Sequence, residues 1–556
     1  MSHANGKKKM MATTADVVVG CLESLGARRI FGVPGEGSSL DLIEAARVRH
    51  MDFVATQHAA AASIMAATEG DLAGRPGACV VGPDSGAAGA AAAVGQAFLQ
   101  RLPLIVFTGS YARADQRRGS MQLIDNKGSL RCVTKDYATV TSARADRLVV
   151  WAWEEALTGP AGPVHLDFRA DEALAPSRWR PVLPCVARHA DPSASAIRNV
   201  ARLLSRGGRA VVLAGLGCRE PEAGTALREL VEHLGAPMLT TPRAKGALAE
   251  DHPLAAGVFS GGRLSEELLS RADCLLTVGL DSTEAPARGW KTGAEVLSIA
   301  AYRTTRRPFE PAAEAIGALA PGLALLRENL PPAGEWNVAA WAGRGAAFRE
   351  RARSLLAEAC RLRGVHGLAP HRVVQIARDV FPKLTLATAD TGAHGLAAVA
   401  FWETYEPKAF LYAVGSAGVG YALPAAIAAK LVFPDRPVVA FMGDSGFLLN
   451  LAEVTTANRL GVAIVVIVFV DESLSLARVA QEQRRYVPAG VSVGAMDIPR
   501  VAEGLGVLGT TVETEDKLRA ALSDALGTTK PAIIAAKVNP QGYRRMLEVL
   551  QGKAEP

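Results

Sequence analysis

The chain has 556 residues, of which 49% are hydrophobic and 21% charged, and 54 are glycine. This length exceeds what one hydrophobic core supports, so about two to four domains are expected. The composition is that of a folded α/β protein rather than of a disordered chain. The net charge of +6 is small and the arginines are dispersed, so no nucleic-acid-binding surface is expected. We interpret residues 1–12, which include a short lysine run, as a disordered tail.

Hydropathy and cysteine spacing indicate the setting in which the protein works. No segment reaches about 18 consecutive apolar residues, and the N-terminus lacks the apolar core of a signal peptide, so no membrane association is expected. The seven cysteines show no CxxC spacing and lie mostly within apolar runs. We therefore expect free, buried thiols in a reducing, cytoplasmic environment rather than disulfides or a zinc site.

Residues 13–180 alternate between helical and strand patterns. Strands are predicted at 29–32, 77–81, 103–108 and 162–168, and helices at 13–25, 58–73 and 86–98. This alternation is typical of a doubly wound parallel sheet. The stretch 175–193 is rich in Pro and Arg without periodicity and predicts a linker.

Two further α/β units follow. The second spans 194–335, with predicted strands at 209–217, 237–241 and 274–279 and helices at 221–234 and, after it, at about 339–361. The third spans 365–556. The predicted fold class is therefore α/β, with three doubly wound domains and mainly parallel sheets. Gly215 and Gly217 follow a strand but lack the third glycine of a dinucleotide-binding turn, which is a weak signal for a nucleotide.

The third unit carries the first chemical signal. An apolar run at 437–442 predicts a strand that ends before Asp444; a helical pattern follows at about 449–460, and a second apolar run, 462–470, ends at Asp471. Parallel strands joined by right-handed crossovers present their carboxyl ends at one edge, so the two aspartates should meet there. Two such carboxylates suit Mg²⁺, and the glycine-containing turn with the following helix N-terminus offers N–H groups to a phosphate. The alternative is that both are ordinary acids that cap strand ends.

Gly443-Asp444-Ser445, a spacer of 24 residues and Val470-Asp471 resemble the thiamine-diphosphate-binding motif, which reads GDG, spacer, NN. Together with the three-unit order, this resembles the acetolactate-synthase-like thiamine enzymes over nearly the whole chain. The resemblance implies pyrimidine-binding, central and diphosphate-binding domains, with the cofactor between the first domain of one subunit and the third of its partner, hence a homodimer or homotetramer. It assigns Mg²⁺ to Asp444, Asp471 and Ser473.

The resemblance also implies roles for other residues of the third unit. His394, in Ala389-Asp-Thr-Gly-Ala-His394, would meet the diphosphate, and the segment 415–424 resembles GGxGTMGYGLP. Within that segment Val419 would support the bent cofactor and the Ala417 carbonyl would accept its amino group; core packing is the alternative role for Val419. The remaining cofactor-binding candidates are Gly443, Ser445 and Gly446 in the turn, and Leu474 and Leu476, which would cover the substrate side.

In the first unit, the segment 57–65 resembles the family's HExxAxxMA helix start. Alignment on His58 and Met65 places Ala59 where the family has its catalytic Glu, which hydrogen-bonds the pyrimidine ring. Glu69 cannot replace it, because ten helical residues span about 15 Å. Either the enzyme works without this Glu, as the similar glyoxylate carboligase does, or the chain is a catalytically silent homologue.

Two other side chains of the first unit are candidates for contact with substrate. Gly32-Val-Pro-Gly-Glu36 resembles the family's GxPG loop, so Glu36 is a candidate general acid–base. A solvated turn acid is the alternative. Gln122, in a segment resembling RxxFQExD, is a weaker candidate. FAD is not expected, because residues 279–284 depart from the family's flavin-contacting segment.

The resemblance implies thiamine-diphosphate- and Mg²⁺-dependent carboligation, in which a 2-oxo acid is decarboxylated and the remainder is joined to an acceptor carbonyl. Simple decarboxylation or C–C cleavage is the alternative within enzymes. A silent cofactor-binding homologue is the alternative outside them. The substrates expected are a small 2-oxo acid and a carbonyl acceptor.

Overall fold

The computed structural model describes most of the chain. The described residues are 12–83, 85–119, 123–180, 184–185, 189–259, 261–284, 292–304, 306–307, 309–332, 341, 343–361, 367–415 and 418–550. They contain three six-stranded sheets, and the chain divides into two compact units, residues 1–187 and 188–556. Every pair of neighbouring strands is parallel, which confirms the predicted α/β class with three doubly wound sheets.

The first unit contains one sheet in the order β2-β1-β3-β4-β6-β5. Its strands are β1 (Arg29–Gly32), β2 (Asp52–Ala55), β3 (Gly77–Val81), β4 (Leu104–Ser110), β5 (Asp136–Val140) and β6 (Pro163–Arg169). Its helices are α1 (Thr14–Ser24), α2 (Ser38–Val48), α3 (Ala59–Ala73), α4 (Ser85–Leu99), α5 (Arg113–Gln116), α6 (Asn126–Leu130), α7 (Ala145–Leu157) and α8 (Ala170–Ala173). The predicted strands are present, but β2 and β5 were missed because both are short and partly polar.

The second unit opens with a sheet in the order β12-β11-β10-β7-β8-β9, the order of dinucleotide-binding folds. Its strands are β7 (Ala210–Ala214), β8 (Met238–Thr240), β9 (Ala255–Val258), β10 (Cys274–Val278), β11 (Glu295–Ala300) and β12 (Ala313–Ile316). The helices are α9 (Ala194–Leu204), α10 (Pro221–Leu234), α11 (Arg263–Leu269), α12 (Leu319–Glu328) and α13 (Arg344–Ala359), with 3₁₀ turns at Leu216–Arg219 and Pro242–Ala244.

The last sheet repeats the strand order of the first, as β14-β13-β15-β16-β18-β17. Its strands are β13 (Leu386–Ala389), β14 (Phe410–Tyr412), β15 (Val438–Gly443), β16 (Val465–Val470), β17 (Leu508–Val512) and β18 (Ala532–Lys537). Its helices are α14 (Pro370–Val380), α15 (Ala393–Phe401), α16 (Ala422–Val432), α17 (Asp444–Asn450), α18 (Glu453–Arg459), α19 (Ser475–Gln483), α20 (Ile498–Gly504), α21 (Glu515–Leu526) and α22 (Gln541–Leu550). The kinship of the first and third sheets is therefore one of topology, without a residue-level repeat.

The helix expected at 449–460 starts earlier and is broken. α17 begins at Asp444, directly after β15, and α18 begins at Glu453. The prediction was wrong because the glycine-containing turn was treated as a loop, whereas its residues form the first turn of the helix.

Burial follows the expected pattern. β16, a run of β-branched and aromatic residues, is buried along its whole length, as a central parallel strand requires. All seven cysteines are free, and five of them are buried. Within the described residues, no helix combines the length and the apolar character that crossing a membrane requires.

Candidate functional site

Asp444 and Asp471 lie at the carboxyl edge of the last sheet. β15 ends at Gly443 and β16 at Val470, so each aspartate directly follows its strand. The two strands are neighbours in the sheet, with Gly443 paired with Phe469. Asp444 is the first residue of α17, and its Oδ2 accepts the backbone N–H of Glu472 at 2.7 Å. The carboxylate of Asp444 therefore contacts the residue next to Asp471.

Both carboxyl groups are poorly solvated. Asp444 is 4% exposed, and burial raises its pKa above the ordinary value. Burial raises the pKa of Asp471 to about 6. A hydrogen bond from Ser475 opposes this shift, and the charge of Asp444 adds to it. Two neighbouring carboxylates in such a place are held in their charged form by a cation. Among the described residues, no group of three or more His, Cys, Asp or Glu could hold a metal. Two carboxylates suit Mg²⁺, which keeps few protein ligands and takes the others from phosphate and water.

The turn after β16 fixes the orientation of Asp471. The backbone N–H of Ser473 donates to its Oδ1 at 3.3 Å, and the hydroxyl of Ser475 donates to its Oδ2 at 2.5 Å. The Ser473 hydroxyl is buried and has no hydrogen-bond partner among the described residues. A buried, unpaired hydroxyl beside two carboxylates fits a site that a metal ion and phosphate oxygens complete.

His394 lies beside the same turn. It is the second residue of α15 and 8% exposed, and a Cβ placed on Gly443 would lie 3.0 Å from its ring. Burial lowers the pKa of His394 to about 3, so the imidazole is neutral. Its Nε2 is buried without a partner among the described residues, and the ring packs on Phe469 with centroids 5.6 Å apart. A neutral imidazole with a free nitrogen can donate a hydrogen bond to a phosphate oxygen.

Asp390 was not predicted as a site residue, yet it joins three parts of the site. It is completely buried at the end of β13, and its two oxygens accept the N–H groups of Gly420 at 2.9 Å and Ala422 at 2.6 Å. A Cβ on Gly446 would lie 2.2 Å from Asp390 Oδ2, so only glycine fits there. Burial raises the pKa of Asp390 to about 7. The sequence signal was an acid directly after an apolar strand, Ala389-Asp390.

Val419 precedes the glycine that Asp390 holds. Its side chain is 46% exposed, and one of its methyl groups would lie 3.4 Å from a Cβ on Gly446. Val419 is therefore held at the start of α17 and still presents an apolar surface. Ala417, the predicted acceptor of the amino group, lies outside the described residues.

The two leucines expected over the substrate differ in their surroundings. Leu474 is 41% exposed, and its N–H donates to the carbonyl of Val491 at 2.8 Å. Leu476 packs against the buried hydrophobic cluster of the last sheet. Tyr543 of α22 is buried close enough to the aspartates to feel their charges: its pKa is raised by burial and then by Asp471 and Asp444. This neighbour was not predicted.

In the first unit, Ala59 is the first residue of α3. It is 8% exposed, and the preceding His58 caps the helix by accepting the N–H of Ala60 at 3.1 Å. Glu69 lies at the other end of the helix, where it pairs with Arg29 at 3.2 Å and Arg75 at 3.3 Å. Glu69 therefore has a structural role.

The other candidates of the first unit lie in loops. Glu36 is an exposed residue of the turn between β1 and α2, at the same sheet edge as Ala59. Gln122 lies outside the described residues.

The glycine turn of the central sheet is occupied by a carboxylate of the chain itself. Glu284 accepts the N–H of Leu216 at 2.7 Å and the hydroxyl of Thr241 at 2.5 Å. Burial raises the pKa of Glu284, while the charge of Arg243 lowers it. The Glu284 carboxyl group thus accepts the Leu216 N–H, which in this fold normally donates to a dinucleotide phosphate.

Comparisons with known proteins agree with this architecture. The chain matches three domain families of thiamine pyrophosphate enzymes: the N-terminal TPP binding domain at 12–129, the central domain at 197–308 and the C-terminal TPP binding domain at 390–536. It is 28% identical to an acetolactate synthase of Bacillus subtilis, over 97% of this chain and 96% of that protein. It is 27% identical to a catabolic acetolactate synthase of Raoultella terrigena, over 96% of each chain. It is also 27% identical to a probable 2-ketoarginine decarboxylase, AruI, of Pseudomonas aeruginosa, over 94% of this chain and 93% of that protein.

Proposed function

We propose, from the premise that this chain has the N-terminal, central and C-terminal domains of a thiamine pyrophosphate enzyme, that it decarboxylates a 2-oxo acid and joins the remainder to an acceptor carbonyl. The observation that carries the proposal is the pair Asp444 and Asp471, poorly solvated and adjacent at one sheet edge. The full-length similarity to acetolactate synthases supports ligation as the outcome.

The residues at this edge fit the cofactor. Asp444, Asp471 and the turn at Ser473 would hold Mg²⁺, and the unpaired Nε2 of His394 would donate to the diphosphate. Val419 would support the cofactor's apolar side. When bound, thiamine diphosphate supplies the electron sink that removal of CO₂ from a 2-oxo acid requires.

Several side chains of the protein are assigned roles toward the cofactor and the substrate. Ala59 offers only a methyl group where relatives of this kind carry a Glu, so the protein gives no carboxylate to the pyrimidine ring from this position. Glu36 is the acid of the first unit that we assign to proton transfer at the substrate. Gln122 is proposed to contact the substrate, Ala417 the cofactor's amino group, and Leu474 and Leu476 the substrate side.

We propose no flavin in the central domain, since Glu284 already occupies the glycine turn. We expect a homodimer or homotetramer, which light scattering would establish.

The assay is CO₂ release from a panel of 2-oxo acids, with thiamine diphosphate and Mg²⁺, in the presence and absence of carbonyl acceptors. CO₂ release with consumption of the acceptor is expected. Release with an aldehyde product instead would make the enzyme a simple decarboxylase, the reaction named for the Pseudomonas aeruginosa relative. Cofactor binding without turnover of any 2-oxo acid would indicate a silent homologue, the alternative that Ala59 leaves open.

A further inference from the structure

A cavity of about 360 Å³ opens at the carboxyl edge of the first sheet, where β4 and β6 end. It adjoins the turn that carries Glu36. A Cβ on Gly35 would lie 3.4 Å from the Cα of Gly82, next to the cavity residue Pro83, and one on Gly37 would lie 3.8 Å from the carbonyl of Ser110, which lines the cavity. The cavity and the turn therefore share a wall.

β6, one of the two strands that frame the cavity, is polar on the face toward it. On β6, Val164, Leu166 and Phe168 belong to the hydrophobic core, whereas His165 and Asp167 alternate with them on the opposite face. A strand with neighbours on both sides in a parallel sheet is normally apolar on both faces. This polar face requires an explanation beyond packing.

The two carboxylate oxygens of Asp167 differ in their hydrogen bonds. Its Oδ1 accepts hydrogen bonds from Thr108 at 2.8 Å, Ser110 at 2.6 Å and Asn126 at 3.2 Å. Its Oδ2 accepts none from the described residues, and no Lys or Arg among them forms an ion pair with it. A carboxylate in this state lacks the donor or cation that would complete its contacts.

His165 does not neutralise Asp167. Burial lowers the pKa of His165 to about 4, although Asp167 and Asp125 oppose this shift. Because Thr108 donates its proton to Asp167, the His165 Nε2–H must donate to Thr108, 2.7 Å away. The imidazole is therefore neutral and only orients the threonine.

Asn126 supplies a second unsatisfied acceptor. It is the first residue of α6 and 8% exposed, and its amide nitrogen donates to the Gly109 carbonyl at 3.2 Å as well as to Asp167. Its Oδ1 is buried and has no partner among the described residues, although Asn126 lines the cavity. An unpaired buried acceptor costs about 1–3 kcal/mol, which a ligand donor would recover.

The side chains that line the cavity carry a net negative charge. Asp125 and Asp167 line it, and Lys127 also does, with its ammonium 4.7 Å from the centre of the Tyr137 ring. Two carboxylates and an unpaired amide oxygen against one ammonium call for a ligand that carries several N–H donors and a positive charge. A guanidinium has five donors in one plane and can serve two acceptors at once.

We propose that this cavity binds the cationic, N–H-rich end of a 2-oxo acid substrate, with a guanidinium as the best-fitting group, while the reacting end lies at the Glu36 turn. This inference rests on the proposed function. Asp167 is the residue that selects for positive charge, Asn126 Oδ1 accepts a second N–H, and Asp125 contributes to the attraction at longer range.

The test compares two substrates of equal shape. The 2-oxo acid derived from arginine carries a guanidinium, and that derived from citrulline carries a neutral ureido group in its place. With the enzyme supplied with thiamine diphosphate and Mg²⁺, kcat/KM for CO₂ release should favour the arginine-derived acid by about tenfold or more. Asp167→Asn keeps the acceptor for Thr108 and Ser110, and it should reduce this ratio to about three or less, the share that Asp125 still contributes.

Two further variants keep the test decisive. Asp52→Asn makes the same charge change at the opposite edge of the sheet, where Asp52 is 69% exposed, and should leave the ratio unchanged. Asp125→Asn retains a side chain that caps α6, so it should fold even if Asp167→Asn does not, and it should lower the ratio by about threefold.

Equal kcat/KM values for the two acids, with turnover of either, would overturn the inference and leave the proposed function intact. If no 2-oxo acid is turned over, the proposed function fails, and calorimetric binding of the arginine-derived acid then decides. Binding that is weakened at least about tenfold by Asp167→Asn would support the cavity assignment. Absence of binding to the wild-type protein would overturn it.

Discussion

The backbone N–H of Glu472 donates to Oδ2 of Asp444 at 2.7 Å and so joins the ends of two neighbouring strands. Glu472 adopts a left-handed conformation with φ of 56°, which is uncommon for a residue other than Gly, Asn or Asp. This conformation turns the N–H toward Asp444 and leaves the Glu472 side chain exposed. The turn therefore orients one proposed metal ligand through the residue that follows the other.

Substitution of Glu472 tests this turn. Glu472→Gly keeps the N–H and relieves the left-handed strain, so it should preserve cofactor affinity and raise stability by up to about 1 kcal/mol. Glu472→Val removes the same charge, but its β-branched side chain disfavours this conformation, so it should weaken Mg²⁺-dependent cofactor binding. Thermal unfolding and fluorescence titration with thiamine diphosphate measure both. Equal affinities for the two variants would show that the turn geometry is unimportant.

Ala59→Glu should restore a carboxylate to the pyrimidine ring. The position is the first of α3, where an acid is also favoured by the helix dipole, so the variant should fold. We expect faster exchange of the cofactor's C2 proton, measured by deuterium uptake. Ala60→Glu adds the same group one residue later and is the control. No acceleration in Ala59→Glu, or equal acceleration in both, would mean that the alignment of this helix is wrong.

His371 should make stability pH-dependent, independently of the site. Burial lowers the pKa of His371 from 6.5 to about 4; Arg372 adds to the shift and Glu515 opposes it. Between these values the unfolded chain binds a proton that the folded chain does not. The free energy of unfolding therefore falls as the pH falls through this window, by up to about 3 kcal/mol.

Urea unfolding of His371→Leu across the same pH range measures this contribution. The slope should be shallower than in the wild type, although His165 and His394 still contribute with the same sign. His189→Leu, at an exposed position, is the control and should leave the slope unchanged. An unaltered slope in His371→Leu would contradict the assignment.

The protein should purify without flavin and should not acquire it on incubation with FAD. The physical reason is the Glu284 carboxylate at the glycine turn, which would repel a diphosphate and already holds the Leu216 N–H. The visible absorbance of the desalted protein measures this. Stoichiometric flavin absorbance would show that the turn opens, and Glu284→Gln would then be expected to bind flavin more tightly.

The sequence predicted the fold class and nine of the eighteen strands in the described residues, because these nine are short apolar runs between clear helical patterns. The predicted strands 29–32 and 77–81 agree with the structure in both bounds. β2 and β5 were missed because each is partly polar and only four or five residues long. Pattern alone assigns such segments to loops, whereas pairing with a neighbouring strand makes them part of the sheet.

The sequence predicted the candidate site only where the spacing between apolar runs and acidic residues indicated it. Asp444 and Asp471 follow apolar runs, and strand order brings them to one edge. Asp390 was missed because it accepts a backbone N–H from a distant loop, and Glu472 because its own backbone N–H donates to the distant Asp444. No sequence motif records such contacts. The polar face that includes Asp167 was likewise hidden in a strand that otherwise reads as core.

The central claim is that Asp444 and Asp471 hold thiamine diphosphate through Mg²⁺, and calorimetric titration of thiamine diphosphate into the protein tests it most directly. Wild-type protein should bind one cofactor per chain only when Mg²⁺ is present. Asp444→Ala should abolish this binding, whereas Asp435→Ala, which removes an exposed carboxylate just before β15, should not. Binding that persists in Asp444→Ala at wild-type affinity, or that does not require a divalent cation, would contradict the account.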